Sequence, residues 1–105
     1  MFGLGGNDRL KGMAGEDLLE GGLGDDTLEG GNGTDKLVGG IGLDRLLGGS
    51  QNDWLFGNEG NDFLRGDNGD DDLDGGEGNE EPHGGRNNDL LVGGIGNDKR
   101  INYGI

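Results

Sequence analysis

The chain has no cysteine, a single proline, and only 5% aromatic residues. Without cysteine there is no disulfide framework to hold it together and no thiolate metal site. Hydrophobic residues make up 28% of the sequence, too little for a core of ordinary thickness. No apolar run is long enough to span a bilayer as a helix, and no charged-then-apolar leader follows Met1. Basic residues are scarce as well: 8 Lys and Arg stand against 22 Asp and Glu, for a formal charge of −14. Such a chain repels nucleic acid and attracts cations. Low apolar content with high net charge is the profile of disorder, and 29 glycines among 105 residues deepen the entropic deficit. Composition alone therefore predicts an unfolded chain.

The glycines, however, keep a strict frame. Residues 3–101 divide without insertion into eleven nonapeptides, among them GGLGDDTLE (21–29) and GGNGTDKLV (30–38). Position one is glycine in all eleven, position six aspartate in ten and position eight leucine in nine. Positions one, two and four hold 27 of the 29 glycines, which a flexible linker would have no reason to do. Each unit reads as a turn, GGxGxD, followed by a three-residue strand whose middle leucine alone points inward. One turn and strand carry the chain across, and a second pair returns it. A coil then takes about eighteen residues, and strands eighteen apart stack in parallel at roughly 4.8 Å.

The expected fold is all-β, with two facing parallel sheets joined by two columns of turns. Its core is a seam of leucines: Leu10, Leu28, Leu46 and Leu64 on one side, Leu19, Leu37, Leu55, Leu73 and Leu91 on the other. One leucine per nine residues cannot offset the cost of ordering nine backbones. Something must bind the turns. At position two, Asn58 and Asp67 tolerate the left-handed angles that glycine supplies elsewhere, whereas Leu4 and Met13 do not. The first two turns are therefore expected to be poorly formed. Gln51 and Asn87, in place of the position-four glycine, are expected to strain theirs.

In this geometry the position-six acids eighteen apart stand above one another. One column carries Asp8, Asp26, Asp44, Asp62, Glu80 and Asp98, the other Asp17, Asp35, Asp53, Asp71 and Asp89. Stacked like charges oppose folding until a cation enters. Calcium takes six to eight oxygens in flexible geometry, and glycine turns can aim carbonyls inward to supply them. Magnesium, which demands a tighter octahedron and holds its waters, fits less well. With no cysteine and one histidine, zinc and copper have little support.

The pattern G-G-x-G-x-D-x-L-x, running over 99 of the 105 residues, resembles that of the RTX (repeats-in-toxin, haemolysin-type calcium-binding) family. The resemblance implies a right-handed parallel β-roll with calcium between successive turns on both edges. It also implies that position-six aspartates of units two apart share an ion, with turn carbonyls completing the shell. Carried onto this sequence, the pairs are Asp8/Asp26, Asp26/Asp44, Asp44/Asp62, Asp17/Asp35, Asp35/Asp53, Asp53/Asp71 and Asp71/Asp89. About seven calcium ions would then cancel the formal −14. The implied role is a secreted, extracellular, non-enzymatic module that stays unfolded in a low-calcium cytosol and condenses on the ion outside. The alternative is a piece of a larger secreted protein (toxin, protease, lipase, epimerase or adhesin) whose activity lies elsewhere.

The sequence departs from the pattern at residues 75–83, GGEGNEEPH, where Glu80 replaces the aspartate and Pro82 the leucine. No ion is expected at Asp62/Glu80 or Glu80/Asp98, and Arg100 at an inward position is expected to end the roll. Only residues 102–105 follow the last repeat, so residues 1–105 read as one domain without the cap and secretion signal usual in the family.

Positions seven and nine face outward. One face carries Arg9, Lys11, Arg45, Arg65 and Lys99; the other carries Leu18, Val38, Trp54, Phe56, Leu90 and Val92. Trp54, Phe56 and Val38 read either as cover for a thin roll or as a surface for docking another domain or another copy. The lone His83, beside Pro82, reads as solvent-exposed. Because the one histidine stands in a disrupted turn, no Ser/His/Asp set is credible, and structural ligation accounts for the carboxylates, so no catalysis is expected. No lysine stands at phosphate-loop spacing, and there is no flat threonine rank of the kind that binds ice.

Overall fold

In each repeat from residue 3 to residue 74, position eight is enclosed while positions seven and nine are turned towards solvent, the two-residue period of a strand. The computed structural model describes residues 1–78 and the backbone of 81–83 and 90–92. Its strands, in chain order, are β1 (Arg9–Lys11), β2 (Leu18–Leu23), β3 (Thr27–Gly31), β4 (Lys36–Ile41), β5 (Arg45–Gly49), β6 (Trp54–Glu59), β7 (Phe63–Asp67), β8 (Asp72–Asp74), β9 (Glu81–His83) and β10 (Leu90–Val92). Odd-numbered strands form one sheet, β1-β3-β5-β7-β9, and even-numbered strands the other, β10-β8-β6-β4-β2. Every pairing is parallel, with a register of eighteen, as in Leu10↔Leu28, Leu28↔Leu46 and Leu37↔Leu55. The expected β-roll is the observed fold.

The seam lies where the repeat puts it. Leu10, Leu19, Leu28, Leu37, Leu46, Leu55, Leu64 and Leu73 are the buried hydrophobic residues among those described. The side chain of Leu91 lies outside them.

Two expectations need correction. Strands β2 to β7 have five or six residues rather than three. They run on to position two of the next repeat, and in β2, β4 and β6 to position three: the glycine at position one, having no side chain, turns inward beside the leucine, and pairing resumes beyond it at Gly22↔Gly40 and Leu23↔Ile41. The first two turns are also intact. Leu4 and Met13 both adopt φ 77°, and their carbonyls accept bonds from Leu23 N (2.7 Å) and Asn32 N (2.8 Å). Both side chains are exposed, so the left-handed backbone costs about 1–2 kcal/mol without disturbing packing. As the repeat frame implies, the coil continues into the degenerate repeat, where β7 pairs with β9 through Leu64↔Pro82. Among the described strands β9 lies at the edge of its sheet, where a proline is tolerated. Gln51 is left-handed, at φ 73°, as its replacement of glycine predicts. Asn87, Arg100 and the tail 102–105 lie outside the described residues.

Trp54, Phe56 and Val38 share the outer face of the even sheet, with Val38↔Phe56 in register. The Trp54 indole N–H donates to Asp72 Oδ2 at 3.0 Å, and Lys36 Nζ sits 5.6 Å from the centre of the Phe56 ring. On the odd sheet Arg45 covers Phe63 in the same way. No helix among the described residues is long and apolar enough to cross a membrane.

Candidate metal centre

Each described repeat enters its turn through a glycine whose backbone angle is ordinary; the reason for glycine at position one is space. A Cβ added at Gly39 would lie 2.6 Å from Asp44 Oδ2 and 2.9 Å from the Gly57 carbonyl oxygen of the next coil. Gly3, Gly12, Gly21, Gly30, Gly48 and Gly57 repeat the arrangement with their own aspartates. At positions two and four the chain is left-handed, as at Gly40 (φ 108°) and Gly42 (φ 137°). A Cβ at Gly40 or Gly42 would strike the carbonyl oxygen of Gly22 or Gly24, one coil before. Position-one glycine thus leaves a cradle lined by a carboxylate oxygen and a carbonyl oxygen.

The acids stack as the register demands, in two columns along the two edges. Asp26, Asp35, Asp44, Asp53, Asp62 and Asp71 are each at most 3% exposed, with Asp8 and Asp17 half-buried in the first coil. Their carboxylates are divided in function. Oδ1 of Asp26, Asp44 and Asp62 accepts the backbone N–H of Asp8, Asp26 and Asp44 at 2.7–2.9 Å. On the other edge Oδ1 of Asp35, Asp53 and Asp71 accepts the N–H of Asp17, Asp35 and Asp53, each at 2.8 Å. Oδ2 of Asp8, Asp17, Asp26, Asp35, Asp44, Asp53 and Asp62 is buried with no hydrogen-bond partner.

A buried, half-satisfied carboxylate resists ionisation. Burial pushes Asp44 up to about 6 and Asp53 and Asp62 up to about 7, and it raises Asp35 in the same direction. The N–H bond from the preceding coil opposes the shift, and the neighbouring carboxylate adds to it by a smaller amount. Repulsion between stacked acids, the cost foreseen from sequence, is therefore secondary to desolvation.

These donors suit a hard cation. Among the described residues no three His, Cys, Asp or Glu side chains converge as a metal cluster, so carboxylates alone cannot complete a shell. Orphaned carboxylate oxygens beside glycine carbonyls are the oxygen-only set that calcium accepts in irregular geometry. The RTX calcium-binding nonapeptide repeat model, described as four copies, matches residues 2–37, 14–46, 29–64, 47–79 and 83–99. The chain belongs to the RTX calcium-binding repeat family. Comparison with curated proteins finds no match. As an RTX module the chain binds calcium through its repeats.

Of the aspartates expected from sequence, eight from Asp8 to Asp71 fall into the two columns. Asp89 and Asp98, with Glu80, lie outside the described residues. One feature escaped sequence reading. Position five forms a second ladder outside the first: Asn7 Oδ1 accepts the N–H of Asp25, Asp25 Oδ1 that of Leu43, and Asn52 Oδ1 that of Asp70. These side chains reach towards the following coil, while position-six carboxylates reach towards the preceding one. The frequency of Asn and Asp at position five was its visible signal.

Proposed function

We propose that this chain is a structural calcium module whose folding is coupled to the ion, with no catalytic role of its own. The observation that carries the reading is the row of buried Oδ2 atoms without partners. Each is an acceptor taken out of water and left unsatisfied, a cost of about 1–3 kcal/mol apiece and more for a charged group. A calcium ion bound to Oδ2 and to turn carbonyls converts that penalty into ligation, so binding free energy becomes folding free energy. The proposed ligands are Asp8, Asp17, Asp26, Asp35, Asp44, Asp53, Asp62 and Asp71, with Asp89 and Asp98 continuing the columns by sequence. About seven ions are proposed, from seven aspartate pairs eighteen residues apart.

The same coupling supports a compartment switch. At low calcium the acids keep the chain open and exportable; outside the cell the ion closes the coils. Secretion, and service within a larger secreted protein, are proposed on the strength of the family. Circular dichroism during a calcium titration tests the coupling. A cooperative gain of β signal is expected from a weakly structured chain in chelator, and a full β spectrum in chelator would overturn it. Calorimetry reads the ion count.

Calcium-dependent self-association through Trp54, Phe56 and Val38 is a second reading, favoured by the 47% exposure of Trp54. The contacts that Asp72 and Lys36 make to this patch favour its role as cover instead. A calcium-dependent mass increase in light scattering, abolished by Trp54→Ser, separates the two.

A further inference from the structure

We propose that Asn32-Gly33 and Asn68-Gly69 are spontaneous deamidation sites that calcium-dependent folding protects, so that the chain records time spent without the ion. The proposal rests on the folding reading above. These are the two Asn-Gly steps in the sequence. Both occupy positions three and four on the same edge of the roll, two coils apart, and both asparagine side chains are exposed.

The chemistry needs only water. The Gly33 amide nitrogen attacks the Asn32 side-chain carbonyl carbon. A C–N bond forms, the bond to the side-chain nitrogen breaks, and ammonia leaves with the displaced proton. Water then opens the resulting succinimide at either carbonyl, giving aspartate or isoaspartate. Glycine makes the step easy, since no Cβ hinders its nitrogen and its backbone turns freely.

In the folded roll that freedom is gone. Asn32 N–H donates to Met13 O at 2.8 Å and Asn68 N–H to Gly49 O at 3.0 Å. Gly33 and Gly69 are held at φ 113° and 111°. Their Cα atoms lie against the Gly15 and Gln51 carbonyl oxygens so closely that a Cβ would strike them. Closing the five-membered ring requires the turn to lift off the coil beneath it. Each asparagine also stands three residues before a column aspartate, Asp35 or Asp71. Isoaspartate adds a backbone carbon to the turn and shifts that aspartate away from its acceptor register with Asp17 N or Asp53 N, both now 2.8 Å. Damage accumulated in the open chain would thus impair later closure.

The test incubates the whole chain at neutral pH with calcium or with chelator, following circular dichroism and peptide mass maps together. Asn58-Glu59 in the same digest serves as a slow internal reference. Deamidation at Asn32 and Asn68 is expected to run at least about tenfold faster in chelator, because opening controls access to the turn. Chelator-aged protein should regain less β signal on calcium addition, while the N32Q/N68Q variant, aged identically, regains it in full. Glutamine is suited to these positions because Glu59 and Glu77 already occupy position three elsewhere. Equal deamidation rates in both conditions, with calcium-induced folding evident in the same samples, would overturn the proposal alone. Absence of any calcium-induced folding would overturn the proposed coupling, and this inference with it.

Discussion

At the scale of the residue, glycine does two different jobs in this repeat. At positions two and four it supplies left-handed backbone, a need that Leu4, Met13, Asn58 and Asp67 also meet. At position one it leaves room for a carboxylate oxygen and a carbonyl. Replacement with alanine tests the second job, with Gly5 at position three, which serves neither, as the control. Gly39→Ala is expected to lower stability by about 1–3 kcal/mol through overpacking and to remove calcium from the adjoining gap. Gly5→Ala, which has nothing within 4 Å of the new Cβ, should be nearly silent; thermal melts with and without calcium compare them. Asp53→Asn is expected to act with opposite signs in two solutions. The amide keeps an oxygen for the Asp35 N–H and sheds a charge that burial disfavours. The ion-free roll should therefore gain stability. In calcium the same variant should bind fewer ions and need about tenfold more calcium to fold, a loss on the scale of a damaged metal shell. Titrations followed by circular dichroism, in chelator and in calcium, read both effects.

At the scale of the element, a strand contributes one leucine to the seam and one glycine beside it. Leu46 is fully enclosed, so Leu46→Ala should cost about 2–5 kcal/mol. Leu43, at position five of the turn that leads into the same strand, is 55% exposed. Leu43→Ala should cost less than about 0.5 kcal/mol. Chemical denaturation in saturating calcium measures the difference. The period of nine made the leucine seam and the eighteen-residue register legible, because both depend only on chain geometry. Strand length was not legible. Positions one and two carry glycine, which argues for a turn by composition, yet pairs such as Gly22↔Gly40 and Leu23↔Ile41 extend the ladder. Stacking of identical coils satisfies those backbone groups whatever their intrinsic preference.

At the scale of the whole molecule, the two acid columns make stability a function of pH and calcium together. Asp44, Asp53 and Asp62 have folded values of about 6 to 7 against an ordinary 3.8. The ion-free roll therefore binds protons more tightly than the open chain does. Its proton-linked stability is fully present below 3.8 and is lost as pH rises through about 6 to 7. In chelator, lowering pH from neutral should increase β signal. In calcium the trend reverses: protons compete for the same oxygens, so the calcium midpoint should rise as pH falls through that window. A midpoint independent of pH would contradict carboxylate ligation at these positions.

The sequence by itself determined the coil. A frame of nine, with leucine at eight and aspartate at six, leaves one way to bury the apolar residues, and that way stacks the acids. It also pointed to calcium, through hard oxygen donors and the RTX pattern. Tertiary structure alone decided how each carboxylate is used. One oxygen is bound by an N–H from the preceding coil and the other is left buried beside a glycine carbonyl. That division arises between residues eighteen apart, from the distance between stacked backbones, and no local pattern in the chain encodes it.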